Sequence, residues 1–81
     1  MSEHVSPDTA EQLVREVGLL YSEQVAEEQR TARPDPVRLK TLQEALVGCA
    51  TDLETLLDAG PEEVAEIAAR YTALSQELGG Q

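Results

Sequence analysis

The sequence predicts an all-α fold, a three-helix antiparallel bundle, on three observations. Prolines stand in Ser6-Pro7, Asp35-Pro36 and Gly60-Pro61, an apolar stripe of helical period follows each of them, and the connections between stripes are short. Proline suits the first helical position, where the N–H has no intrahelical acceptor and φ is already helical. Ser, Asp and Gly, directly before the prolines, are favoured N-caps. Short connections between long helices make neighbours antiparallel. The predicted spans are about 7–31, 36–59 and 61–78, in a single helical domain over 1–81. A frayed N-terminus (1–5) and a flexible Gly-Gly-Gln tail (79–81) complete the expectation.

In the first helix Ala10, Leu13, Val14, Val17, Leu20, Tyr21 and Val25 share one broad face at 100° per residue. Gly18 costs roughly 1 kcal/mol relative to alanine in a helix interior, so it is expected to mark a close approach by another helix. Pro34 forces Arg33 out of the helical region and ends the segment. The second helix carries Leu39, Leu42, Leu46, Cys49, Leu53 and Leu56, alternating three and four apart as in a coiled-coil seam that Ala45, Ala50 and Leu57 widen. Gly60 suits the left-handed position that closes a helix, and Pro61 opens the next at once. There Glu62 and Glu63 meet the positive end of the helix dipole. Val64, Ile67, Ala68, Tyr71, Leu74 and Leu78 form the third stripe, and Ala65, Ala69 and Ala73 a second, smooth face.

Composition sets the scale of the core. With 81 residues, no Phe or Trp, and Tyr21 and Tyr71 as the aromatics, the core is small and built from Leu, Val and Ala. Domains of this size are often completed by oligomerisation. Leu19, Val37 and Val47 lie off the stripes and are the candidate self-association surface, with a homodimer as the expected product. The net charge of −10 argues against nucleic acid and against an anionic membrane, where cationic side chains supply most of the attraction. It favours a partner with a basic segment. Lys40 beside five arginines reads as GC-rich coding and a bacterial source. Without a secretory h-region or an apolar run of spanning length, the expected compartment is the cytoplasm.

Up-down-up connectivity sorts the charges by end. Glu3, Asp8, Glu11, Asp52, Glu54, Asp58, Glu62, Glu63 and Glu66 collect at one pole, and Arg30, Arg33, Arg38 and Lys40 at the other. Within the acidic pole Asp52, Asp58, Glu62, Glu63 and Glu66 are the candidate partner-binding residues. Asp58 opposes the dipole at the end of the second helix, a local cost with no local gain. The basic corner has Glu27, Glu28, Glu44 and Glu77 within reach as ion-pair partners. No calcium-loop pattern is present. His4 and Cys49, the sole imidazole and thiol, lie far apart and lack the further ligands a metal needs or the third group a nucleophile needs. No catalytic, cofactor or metal residue is assigned.

Short stretches resemble known families. Thr51-Asp52-Leu53 lacks the serine of the Asp-Ser-Leu motif of acyl carrier proteins, which excludes a phosphopantetheine carrier. Pro61-Glu62-Glu63-Val64-Ala65-Glu66-Ile67, with Ser75, resembles the last helix of all-helical chorismate mutases. That resemblance implies cationic side chains, here Arg15 or Arg70, pointing into a cavity to bind a dicarboxylate, although Gln24 stands where an arginine belongs. The terminal Gly79-Gly80-Gln81 resembles the C-terminus of the prokaryotic ubiquitin-like modifier Pup, which implies deamidation of Gln81 and its conjugation to a lysine. The residues themselves point to a non-enzymatic protein–protein interaction module, an adaptor, regulator or accessory subunit.

Overall fold

The computed structural model describes residues 5–79. It is a three-helix bundle in which α1 (Pro7–Gln29), α2 (Pro36–Leu56) and α3 (Pro61–Gly79) follow one another without a strand among the described residues. Each proline occupies a helix start. The Ser6 hydroxyl accepts from the Thr9 N–H at 3.1 Å. Asp35 Oδ1 accepts from the N–H groups of Val37 at 2.9 Å and Arg38 at 3.4 Å. At Gly60 the carbonyl takes the first bond of α3, from Val64 N–H at 3.0 Å.

The helix ends differ from expectation by one to three residues. α1 closes at Arg30, whose N–H is shared between the Ala26 and Glu27 carbonyls, both at 3.2 Å. α2 stops at Leu56 because its last turn tightens: Leu57 and Asp58 donate three residues back, to the Glu54 and Thr55 carbonyls. No described glycine has a positive φ, so Gly60 does not close α2 in the left-handed region as anticipated; it serves only to start α3. Val5, assigned to a frayed end, is half-buried and packs against the core. Gly79, assigned to the flexible tail, is the last residue of α3. Met1 to His4 and Gly80-Gln81 lie outside the described residues.

α1 is the centre of the molecule. It packs along both α2 and α3, whereas α2 and α3 approach each other at few places. The Cα trace spans 50 × 25 × 16 Å, a slab with α1 between its neighbours. Ala10, Val14 and Val17 have no exposed surface at all, and Val64, Ile67, Ala68 and Tyr71 close over them from α3. The seam of α2 is covered along one edge. Leu42, Cys49 and Leu56, seven apart, are buried; Leu39, Leu46 and Leu53, also seven apart, are half-buried. A seam facing a single partner helix is left partly open in this way, and α3 stands too far off to close it.

The structure corrects the reading of Gly18. Nothing lies within 4 Å of where its Cβ would stand, and the same holds for Gly48 in α2. Neither glycine marks a close helix approach, and both keep helical φ. Gly18→Ala and Gly48→Ala are therefore each expected to stabilise the protein by about 0.5–1 kcal/mol. Denaturant titration checks this; a loss of stability would mean that a partner or a helix comes close to that backbone in solution.

Candidate functional site

The start of α1, the end of α2 and the start of α3 meet at one end of the slab. Val5, Ser6 and Pro7 lie against Ala59, Pro61 and Val64 there. Beside them an open groove of about 480 Å³ runs between the first turns of α1 and the last turns of α2. Its walls are Pro7, Asp8, Glu11 and Arg15 on one side and Leu53, Glu54, Leu56, Leu57 and Ala59 on the other. Leu57 is 83% exposed, more than Leu19, Val37 or Val47. The groove thus has an apolar floor and a mainly acidic rim.

The candidate acidic residues divide by position. Asp58, Glu62, Glu63 and Glu66 are exposed at or near this end. Asp52 is not part of that surface. It is half-buried between α2 and α3, where it accepts a hydrogen bond from the Tyr71 hydroxyl and faces Arg70 at 3.6 Å. The Arg70 guanidinium also lies 5.8 Å from the centre of the Tyr71 ring. This cluster is a polar tie between two helices that otherwise diverge. A tyrosine on an apolar stripe needs a partner for its hydroxyl, and side chains on a helix lean toward its N-terminus. Tyr71 therefore reaches back toward the α2–α3 turn, where Asp52 lies. Those two tendencies account for the structural role of Asp52 once the position of α3 is known.

Arg15, Arg38 and Arg70 are exposed, and each meets an acid. Arg15 reaches back one turn to Glu11 at 2.8 Å, which places a cation on the groove rim. Arg38 pairs with Glu28 at 3.3 Å and donates to Gln24 Oε1 at 3.4 Å. Glu28 also accepts the Asp35 N–H at 2.9 Å, and so ties the end of α1 to the start of α2. Among the described residues no polar or charged side chain is buried. Arg15 and Arg70 do not enter a cavity, as the likeness to chorismate mutases required of them. Among the described residues no cluster of His, Cys, Asp and Glu is placed to hold a metal ion.

Cys49 is buried beside Tyr71 and Asp52. Burial raises its thiol pKa, contact with the Tyr71 hydroxyl partly offsets this, and the Asp52 charge raises it again. Tyr71 is held far above the ordinary phenol range by burial and by its bond to Asp52. Tyr21 is raised by burial, with the charges of Cys49 and Glu77 adding. A thiol that resists ionisation is a poor nucleophile.

No known protein family, no curated protein and no solved structure matches the chain.

These shifts fix a pH dependence. All three groups have folded pKa values above their ordinary 9.0 (thiol) and 10.0 (phenol). Their contribution is intact below those values and is lost as pH rises through them, because the unfolded chain then releases protons that the folded chain retains. Each group steepens the fall by up to about 1.4 kcal/mol per pH unit. Tyr71→Phe should flatten that alkaline limb and cost roughly 1–3 kcal/mol near neutral pH, since it removes a hydrogen bond to a charged group. Urea unfolding of both proteins across pH 7 to 11 checks the slope; identical limbs would separate Tyr71 from the effect.

Proposed function

We propose that this protein is a non-enzymatic protein–protein interaction module whose acidic end docks a basic segment of a protein partner. The observation that carries the reading is the gathering of Asp8, Glu11, Glu54, Asp58, Glu62 and Glu63 where α1 and α3 begin and α2 ends, around the exposed Leu57. Such a field steers a cationic partner and raises its rate of encounter. The acidic composition favours such a partner over a nucleic acid or an anionic membrane, and none of the described helices is long and apolar enough to cross a membrane. In this reading the other end is held together by its own ion pair between Arg38 and Glu28.

The triple substitution Asp58→Asn, Glu62→Gln, Glu63→Gln tests the reading. Used as bait in a lysate of the source organism, wild type should retain proteins with Lys/Arg-rich segments that the triple variant loses. Rising salt should release them as well, because exposed charges are screened beyond about 8 Å at physiological ionic strength. Equal retention by both baits across a salt series would make the acidic end a solvated surface.

A second reading, self-association, is supported by the exposure of Leu19 (66%), Val37 (72%) and Val47 (66%). Sedimentation at micromolar concentration should then give a mass above one chain. Leu19→Glu should lower that mass without lowering helicity. A folded monomer at every concentration would end this reading.

A further inference from the structure

The acids at this end do not stand in equivalent places. Asp8 is in the first turn of α1, and Glu62 and Glu63 are in the first turn of α3. There they complement the positive ends of two helix dipoles and stabilise the free protein. Glu54 and Asp58 stand instead at the end of α2, where the dipole is negative and the last turn holds no basic residue. Neither takes part in the ion pairs of the described residues. Helix stability gives no reason for an acid at either position. Between them in sequence stands Leu57, the C-cap of α2 and the most exposed large hydrophobe among the described residues. Two unfavourable choices, dipole-opposing acids and a solvated leucine, thus fall on one turn that also forms a groove wall.

We propose that the groove between the first turns of α1 and the last turn of α2 binds an amphipathic basic helix of a partner protein. Its apolar side would lie on Leu53 and Leu57, and its Lys or Arg side chains would face Glu54, Asp58 and Asp8. The proposal rests on the reading that the acidic end docks a basic partner, and it names that partner's form and seat. Charge complementarity selects the cations, and Leu53 and Leu57 select an apolar stripe beside them. The described residues hold no strand, so there is no sheet edge for an extended segment to join, and the groove has no aromatic wall for a proline-rich one; a helix laid between helices fits its leucine floor.

A second copy of this chain is a poorer occupant. Its cationic corner of Arg30, Arg33, Arg38 and Lys40 is interspersed with Glu27, Glu28, Asp35 and Glu44, and Arg38 is already tied to Glu28. It offers no net positive surface, and two chains of charge −10 repel.

The test uses the full chain and two short synthetic peptides of identical leucine and lysine composition. In one the leucines recur at helical spacing; in the other their order is scrambled. NMR titration should place the patterned peptide at Glu11, Leu53 and Leu57, with the scrambled peptide binding far more weakly. Leu57→Ser should weaken the patterned peptide by at least about tenfold, the scale of one buried leucine. The exposure of Leu57 leaves the fold of that variant intact. Glu54→Gln with Asp58→Asn should weaken binding and its salt dependence while raising the melting temperature. Glu62→Gln with Glu63→Gln should lower the melting temperature and affect affinity less.

Equal affinity for both peptides, or for Leu57→Ser and wild type, would overturn the groove and leave acidic-end docking standing. Peptide shifts confined to other surfaces would overturn both. A groove protected by concentration-dependent self-association of the protein alone would overturn the choice of occupant.

Discussion

Ala10, Val14 and Val17 have lost all contact with solvent because α1 is enclosed from two sides. α2 and α3 hardly meet, so each depends on α1 for most of the apolar surface it covers. The constraint follows from side-chain size. With no Phe or Trp, and Tyr71 as the one buried aromatic among the described residues, the core is filled mainly by Val, Leu, Ile and Ala. Small residues on α1 let two helices come close along opposite flanks, and the result is a slab. The open edge of the α2 seam follows from the same choice, as does the need for Asp52 and Tyr71 to join the outer helices. The tie works because a buried phenol held neutral by its surroundings gives a well-placed donor to a half-buried carboxylate that also meets Arg70.

The starts of the helices were legible in the sequence, and their ends were less so. Ser6, Asp35 and Gly60 precede prolines that can only open a helix, so local chemistry alone decided the boundary. An end is settled by competition between one more helical turn and the turn that follows. In α2 the tightening at Leu57 and Asp58 won, and nothing in Asp58-Ala59-Gly60 announces it. Gly18 was misleading for a related reason. A glycine inside a helix is compatible with close packing, but the sequence does not say whether another backbone approaches, and here none does.

The charged end was legible in outline, since it needs only the up-down-up order of three helices. Its internal division was not. Asp52 is separated from Asp58 by less than two turns of chain, yet it faces α3 while Asp58 faces solvent. The difference is one of angle around α2, and it becomes visible only when the position of α3 is known. Leu57, expected to widen the α2 seam, is exposed instead, and the sequence hides this for the opposite reason. As one more leucine beside a seam of leucines it reads as a widening of the core, and its place at the end of α2, on the open edge of the seam, leaves it 83% exposed.

Charge that serves only to keep a small protein soluble has no reason to prefer one helix end over another, and helix stability steers it toward N-termini. Asp8, Glu62 and Glu63 satisfy both demands at once, so their presence carries little information. Glu54 and Asp58 satisfy neither helix stability nor pairing, and they flank an apolar side chain whose exposure is a further local cost. Each cost is small, on the order of 0.3–1 kcal/mol for an exposed charge at the wrong end of a dipole. In a domain whose total stability is only about 5–15 kcal/mol, two such charges on one turn are not negligible. Their coincidence with a groove, rather than the size of the net charge, is what separates the end of α2 from the rest of the acidic surface.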